Sequence, residues 1–182
     1  MSIDTMRPAF KKARVPDATV RAFIAWAKAD NADNRAFRLT WGAQFLVQLR
    51  DEFKGSVMQE EIKRAIAHAL SGSPESFLQW TKTTHSELTA LRGLRAKLGG
   101  WGTPNDVLDA LAAWVWKNGT FNAARIEKIR LFTDALSVAP FSGATRAERW
   151  RLFLEAVMPA DTNVHAIAEP WLAELEHPAG VA

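Results

Sequence analysis

Clustered basic side chains are the residues of this chain whose type and spacing best suggest a chemistry. They form four groups, and each group contains members about one helical turn apart. Cationic groups at that spacing can follow the phosphates of a nucleic acid, and each phosphate they neutralise releases counterions. Such contacts position a protein without reading base sequence. The groups are Arg7, Lys11, Lys12, Arg14 and Arg21; Arg92, Arg95 and Lys97; Arg125, Lys128 and Arg130; and Arg146, Arg149 and Arg151.

Charge is divided unevenly along the chain. All 23 Lys and Arg residues lie before residue 152, together with 15 acidic residues, which gives a formal charge of +8. Residues 152–182 carry no basic residue and five acidic ones, a formal charge of −5. The division predicts a polyanionic partner for the basic part, since surface charge decides which polyions are attracted. The alternative is an ordinary solvated helix surface, with pairs such as Glu148 with Arg149 or Arg151.

Residue patterns that would indicate catalysis are weak. No two of the four histidines have the i, i+4 spacing of a helical zinc site, and the chain has no Cys and no Tyr. Asp51, Glu52 and Lys54 resemble part of a nuclease metal cluster, but they end a helical pattern instead of leaving a strand. We therefore predict a non-enzymatic protein without cofactor or metal. A metal-dependent enzyme that uses Asp51 and Glu52 is the minor alternative.

Apolar residues recur at helical spacing along most of the chain, and no stretch alternates with the period of a strand. We therefore predict an all-α fold, a bundle of seven or eight helices with little or no sheet. The longest apolar series steps by four residues and is typical of a buried helix face. It consists of Phe37, Trp41, Phe45, Leu49 and Phe53.

Capping residues mark several helix ends in the sequence. Asn122 is placed to cap one helix, and Thr145 with Glu148 forms a capping box for another. Asn118 and Gly119 follow a helical pattern, and we interpret them as its end and not as a hairpin turn.

Glycines predict a hinge in the second half of the chain. Gly99–Gly102 would separate an N-terminal helical lobe, 1–98, from a C-terminal lobe, 99–182, that includes an acidic tail at 155–176. A single domain is the alternative. Trp101 beside this hinge, and Trp150 between arginines, are the two of eight tryptophans expected at the surface, where they could stack on bases.

The start of the chain and its composition bear on location. The first ten residues lack the apolar stretch of a secretory signal, and the absence of Cys fits a reducing compartment. No apolar run approaches the roughly 20 residues that span a bilayer. We expect a cytoplasmic protein without membrane contact.

Two segments resemble the small helical subunit of Cascade, the type I-E CRISPR surveillance complex. Residues 22–31, with Ala-Trp and then Asp-Asn, are followed by Arg35 and Arg38, as in the opening helix of that family. Residues 119–126, Gly-Thr-Phe-Asn-Ala-Ala-Arg-Ile, are similar to a Gly-x-Ile-Asn-x-x-Arg-Ile segment in its later half. Of the paired arginines usual after the first helix, Arg38 is present and Leu39 follows it.

The resemblance implies a non-enzymatic, CRISPR-associated subunit of antiviral defence, whose basic surface stabilises the guide–target hybrid and the displaced strand. It implies roles for Arg35, Arg38, Arg125 and Arg130. The expected partners are single-stranded DNA or RNA backbone, other protein subunits and, as an open alternative, further copies of this chain. The basic groups add the remaining predicted contacts, which are Arg92, Arg95, Lys97, Lys128 and Arg149.

A second hypothesis is a protein–protein interaction module, such as a phage or plasmid regulator that blocks a host complex. Its acidic tail would then mimic nucleic acid or shield the basic surface of the same chain.

Overall fold

The structure, a computed structural model, describes residues 3–29 and 33–178. Within these residues it has nine α-helices and one short hairpin, which confirms the predicted all-α fold. None of the described helices is both long enough and apolar enough to cross a bilayer. In chain order the helices are α1 (Met6–Lys12), α2 (Asp17–Lys28), α3 (Asp33–Glu52), α4 (Gln59–Leu70), α5 (Pro74–Gly100), α6 (Asn105–Val115), α7 (Ala123–Ala135), α8 (Arg146–Val157) and α9 (Asn163–Glu176).

The chain forms two compact units, residues 1–86 (unit 1) and 87–182 (unit 2). Their boundary lies inside α5, which runs without a break from Pro74 to Gly100. Gly99 and Gly100 end that helix, and Gly102 has a φ of 77° in the turn that follows. The division into lobes 1–98 and 99–182 and the hinge at this turn stay predictions.

Aromatic rings form much of the core of unit 1, where α1 packs on α3. Phe10 of α1, Phe23 of α2 and Phe77 of α5 follow one another in space, with ring centroids 5.8 Å and 5.3 Å apart. All three side chains are buried. Rings at these separations contribute stacking or edge contacts beyond the burial of their area.

The core of unit 2 lies between α6, α8 and α9. The apolar face of α6 is buried along its whole length, and α9 buries Val164, Ala168 and Leu172. The acidic tail is therefore largely a packed helix, and Pro170 is accommodated within it.

Two predicted caps are confirmed. Asn122 accepts a hydrogen bond from the Arg125 amide at the start of α7. Thr145 and Glu148 form the reciprocal capping box of α8, with the Thr145 amide donating to the Glu148 carboxylate over 2.7 Å.

The interpretation of Asn118-Gly119 as a helix end is wrong. Strands β1 (Trp116–Lys117) and β2 (Thr120–Phe121) pair antiparallel on either side of these two residues. Asn118 and Gly119 have φ values of 54° and 83°, the left-handed pair that a tight two-residue hairpin needs. The strands are too short to show the alternation that predicts a hairpin.

The prediction that Trp101 and Trp150 are exposed is also wrong. Their side chains are 7% and 0% exposed. The Trp150 indole donates to the Thr103 hydroxyl over 2.8 Å and packs edge-on against Phe153 and Trp171. Burial of the whole ring costs little here because its only polar group has a partner.

A glycine of α3 makes room for an aromatic ring of α5 in unit 1. A Cβ atom at Gly42 would lie 2.9 Å from Cε1 of Phe77, whose ring is fully buried. Gly93 of α5 is also within a helix, but a Cβ atom there would meet nothing within 4 Å. Both glycines are therefore helical, but a side chain has no room at Gly42 and open space at Gly93.

We expect Gly42→Ala and Gly93→Ala to change stability in opposite directions. Alanine at Gly93 should raise the free energy of unfolding by about 0.5–1 kcal/mol through helix propensity. At Gly42 the same gain is outweighed by overpacking, which costs about 1–3 kcal/mol, so the net change should be a loss. Urea unfolding of the full chain, followed by circular dichroism, measures both. Equal stabilisation by the two substitutions would contradict the close contact between Gly42 and the Phe77 ring.

Candidate nucleic-acid interface

Acidic side chains already neutralise three of the nine predicted nucleic-acid contacts. Arg95 binds Asp109 over 2.9 Å, with both side chains mostly buried. Lys97 and Arg130 share the carboxylate of Asp134, and Arg130 also binds Glu127 through two hydrogen bonds. A phosphate that used these cations would first have to displace a carboxylate of the same chain.

The pKa values in the exposed network on α7 show the same pairing. The hydrogen bond from Lys97 lowers the pKa of Asp134, and the hydrogen bond from Arg130 lowers that of Glu127. The hydrogen bond to Glu127 in turn raises the pKa of Arg130. Glu127, Asp134 and Arg130 are therefore charged near neutral pH, and much of the positive charge of this surface is locally cancelled.

Tryptophan rings hold three further predicted arginines in place. Each guanidinium group lies over an indole and also donates to a backbone carbonyl, that of Trp26, Trp114 or Ser142. A cation over an indole face is stabilised by the quadrupole of the ring. The pairs are Arg35 over Trp26 at 4.3 Å, Arg125 over Trp114 at 4.7 Å and Arg149 over Trp101 at 5.8 Å.

The three remaining predicted contacts differ in exposure. Arg38 on α3 and Lys128 on α7 are exposed, whereas Arg92 on α5 is partly buried. The predicted set is divided between the two units: Arg35 and Arg38 belong to unit 1, and the other seven residues belong to unit 2.

The acidic tail neutralises the last basic residue of the chain. Arg151 makes a two-pronged ion pair with Glu169, with both hydrogen bonds at 3.0 Å, and it also binds Glu176. The Glu148 carboxylate, which the alternative interpretation pairs with Arg149 or Arg151, caps α8. Of the four basic groups, the one at 146–151 is thus largely engaged within unit 2.

The two units of the fold differ in formal net charge. Unit 1 carries 13 basic and nine acidic residues, a formal charge of +4. Unit 2 carries ten basic and 11 acidic residues, a formal charge of −1, because the acidic tail belongs to it. A polyanion is therefore attracted more strongly to unit 1.

An aromatic groove in unit 1 combines two aromatic rings, of which that of Phe37 is exposed, with cations. It has a volume of about 530 Å³ and is lined by Phe37, Arg38 and Trp41 of α3 and by Leu78 and Lys82 of α5. Phe37 is 52% exposed, and both cationic side chains are exposed as well. Among the residues that the structure describes, neither Arg38 nor Lys82 has a hydrogen bond or ion pair.

The rings of the aromatic groove are positioned by helical spacing and by the core beneath them. Phe37 and Trp41 lie one above the other because residues four apart share a helix face. Trp41 stacks on Phe45 with centroids 5.9 Å apart and meets the His85 ring edge-on at 5.1 Å. Trp41 is thus fixed, while Phe37 at the end of the row is left open to solvent.

Sequence reasoning found Arg38 but missed the aromatic groove. Phe37 belongs to an apolar series that continues into the core, so its pattern is that of a buried residue. Lys82 lies far away in the sequence and outside every basic group. The sequence signal for the groove is that Phe37 and Arg38 are adjacent. This signal indicates a binding surface only once the fold places Lys82 of α5 in the same groove.

Comparisons with protein-family models, with curated proteins and with solved structures give no significant match for this chain. Asp30 and Asn31, part of the first segment that resembles the Cascade small subunit, lie outside the described residues. The second segment forms β2 and the capped start of α7. Within 3–29 and 33–178, no three His, Asp or Glu side chains group as metal ligands.

The ion pairs of Arg151 should make the stability of unit 2 depend on pH. Hydrogen bonds from Arg151 lower the pKa of Glu169. A lowered carboxyl pKa stabilises the fold above the ordinary value and ceases to do so as the pH falls through the lowered value. Arg151→Gln should therefore reduce the melting temperature at about pH 7 and have less effect at about pH 3.

Thermal unfolding by circular dichroism at the two pH values measures this effect. Lys128→Gln is the matched control, because Lys128 is an exposed cation of unit 2 on a neighbouring helix. A pH-independent effect of Arg151→Gln, equal to that of the control, would contradict the assignment.

Proposed function

We propose that this chain is a non-enzymatic helical subunit that binds the backbone of single-stranded nucleic acid within a larger ribonucleoprotein. The sequence resemblance to the Cascade small subunit supports the proposal. The structural observation that carries it is the aromatic groove, where Arg38 and Lys82 lie beside the open face of Phe37.

The chemistry of the aromatic groove suits an unpaired strand. Bases of a single strand expose their faces, and stacking on an aromatic side chain contributes about 1–3 kcal/mol per base. Two cations near the ring can each neutralise a phosphate of the same strand. A duplex keeps its bases stacked on one another, so it can use the cations of the groove but not the ring.

Local charge decides between the predicted contacts. Arg38 and Lys82 meet no carboxylate among the described residues, whereas Lys97 and Arg130 are held by Asp134 and Glu127. Breaking an existing ion pair offsets the energy gained from a phosphate, so the two groove cations should contribute more. We therefore assign the main contact to unit 1 and a smaller role to the predicted residues of unit 2.

Charge reversal in the aromatic groove should weaken binding of single strands. We expect Arg38→Glu with Lys82→Glu to lower the affinity for a fluorescein-labelled oligo(dT) at least tenfold at low salt. The slope of log affinity against log salt should become shallower by roughly 1.4, since each lost phosphate contact accounts for about 0.7 on a single strand. Fluorescence anisotropy at several salt concentrations gives both quantities.

The matched control is Arg7→Glu with Arg21→Glu, which changes the net charge of unit 1 by the same amount at exposed positions outside the aromatic groove. An equal loss of affinity in the control would show that overall charge, not the groove, determines binding. An unchanged affinity of the groove variant would refute the proposed site.

The exposed ring of Phe37 should favour single strands over duplexes. Phe37→Ala removes the stacking face without opening the core, because the side chain is already half exposed. We expect the affinity for oligo(dT) to fall about five- to a hundredfold, by analogy with other stacking residues. The affinity for a duplex of equal length should change little. Equal effects on both ligands would argue against stacking.

Exposed apolar residues of unit 2 keep the second candidate function open. Leu131 and Phe132 of α7 and Val138 in the following loop are 53%, 36% and 59% exposed. Exposed apolar side chains that lie together often form contacts with another protein. If the wild-type chain binds neither single strands nor duplexes at low salt, an interaction module becomes the better proposal.

A further inference from the structure

A second cavity of unit 1, the basic cleft, has a different chemistry from the aromatic groove. It lies where α1 and α3 end and α4 begins, and it has a volume of about 600 Å³. Small-molecule sites usually measure 300–1,000 Å³. Its ionisable lining consists of five basic residues and one acidic residue, which are Lys12, Arg14, Arg50, Lys54, Lys63 and Asp51.

Arg14 occupies a backbone position that normally favours glycine. Its φ is 57°, and it follows directly on the C-terminus of α1. The Arg14 amide donates to the Lys11 carbonyl and the Val15 amide donates to the Phe10 carbonyl, both over 3.0 Å. These two bonds define the helix-ending motif in which glycine is usual. An arginine here places a guanidinium group at the cleft where the local fold would prefer no side chain.

Arg50 brings a second guanidinium group to the same place. It is partly buried and donates to the Ala13 carbonyl at the end of α1. Burial, and then the nearby charge of Arg14, lowers its pKa. Two cations that repel each other at a partly buried cleft are stabilised when an anion binds between them.

Most of the cleft cations have no carboxylate partner within the described residues. Lys63 is the exception, since it binds Glu60 over 3.1 Å. Asp51 is the only acid in the lining, and no ion pair joins it to Arg14 or Arg50 within the described part of the chain. The cleft therefore keeps a strong positive potential, which attracts a compact ligand of high negative charge.

We propose that the basic cleft binds a multiply charged phosphate group. Arginine suits this role because its planar fork of donors matches phosphate oxygens, and Lys12 and Lys54 add compact point charges. The phosphate group could belong to the 5′ end of a nucleic acid or to a free oligophosphate. This site is separate from the aromatic groove, since the two cavities have no lining residue in common.

The test uses inorganic triphosphate as the probe. Isothermal titration of the full chain at low salt should show saturable binding, and the melting temperature should rise with triphosphate more than with sodium sulfate at equal ionic strength. Arg14→Gly removes the guanidinium group and places the favoured residue at this position. It should leave the melting temperature of the free protein unchanged or raised, and should weaken triphosphate binding at least about tenfold. Arg14→Lys should restore part of the affinity.

Two controls separate this site from others. Lys11→Gln removes an exposed cation of α1 that does not line the cleft, and Arg38→Glu with Lys82→Glu alters the aromatic groove; both should keep triphosphate affinity. Absence of triphosphate binding to the wild-type chain, or equal binding by Arg14→Gly, would overturn the proposal.

Labelled oligonucleotides identify the natural source of the phosphate. Tighter binding of a 5′-phosphorylated strand than of its 5′-hydroxyl counterpart, lost in Arg14→Gly, assigns the cleft to a nucleic-acid end. Equal binding of the two strands, with triphosphate binding still dependent on Arg14, assigns it to a free oligophosphate.

Discussion

The contact between Gly42 of α3 and the Phe77 ring of α5 is the constraint on which the aromatic groove depends. Phe37, Arg38 and Trp41 lie on one helix, and Leu78 and Lys82 lie on the other. Only a residue without a side chain fits where the Phe77 ring meets α3. A larger residue would push the helices apart or displace that ring, and the cations that flank Phe37 would separate. The groove is thus a consequence of core packing one turn away from it.

Pairing within the chain, and not the number of basic residues, decides where an anion can bind. Asp109, Asp134 and Glu127 hold cations of α5 and α7, and Glu169 and Glu176 hold Arg151. Guanidinium groups that lie over tryptophans are likewise fixed by backbone carbonyls. In unit 1 the cations of the basic cleft outnumber acids five to one. A charge count along the sequence cannot separate these cases, because several partners, such as Asp109 for Arg95 and Glu169 for Arg151, are remote in sequence.

The features that could be predicted from the sequence are those that depend on residues a few positions apart. Helical periodicity gave the all-α fold, and the caps at Asn122 and Thr145 follow from side chains that reach only three residues ahead. Trp150 was misjudged because its neighbours in sequence are arginines, whereas its neighbours in space are Phe153, Trp171 and Thr103. The aromatic groove was missed for the same reason. Arg38 and Lys82 are 44 residues apart, and only the packing of α3 on α5 makes them neighbours.

A single helix, α3, lines both the aromatic groove and the basic cleft of unit 1. α3 contributes Phe37, Arg38 and Trp41 to the aromatic groove and Val47, Arg50 and Asp51 to the basic cleft. Arg38 and Arg50 are separated by 12 residues, which corresponds to roughly 18 Å of helix axis. A continuous helix holds that distance fixed, whereas a loop between the two residues would allow it to vary. The separation of the two proposed anion sites is therefore fixed by α3 itself, and a ligand that reaches both must match it.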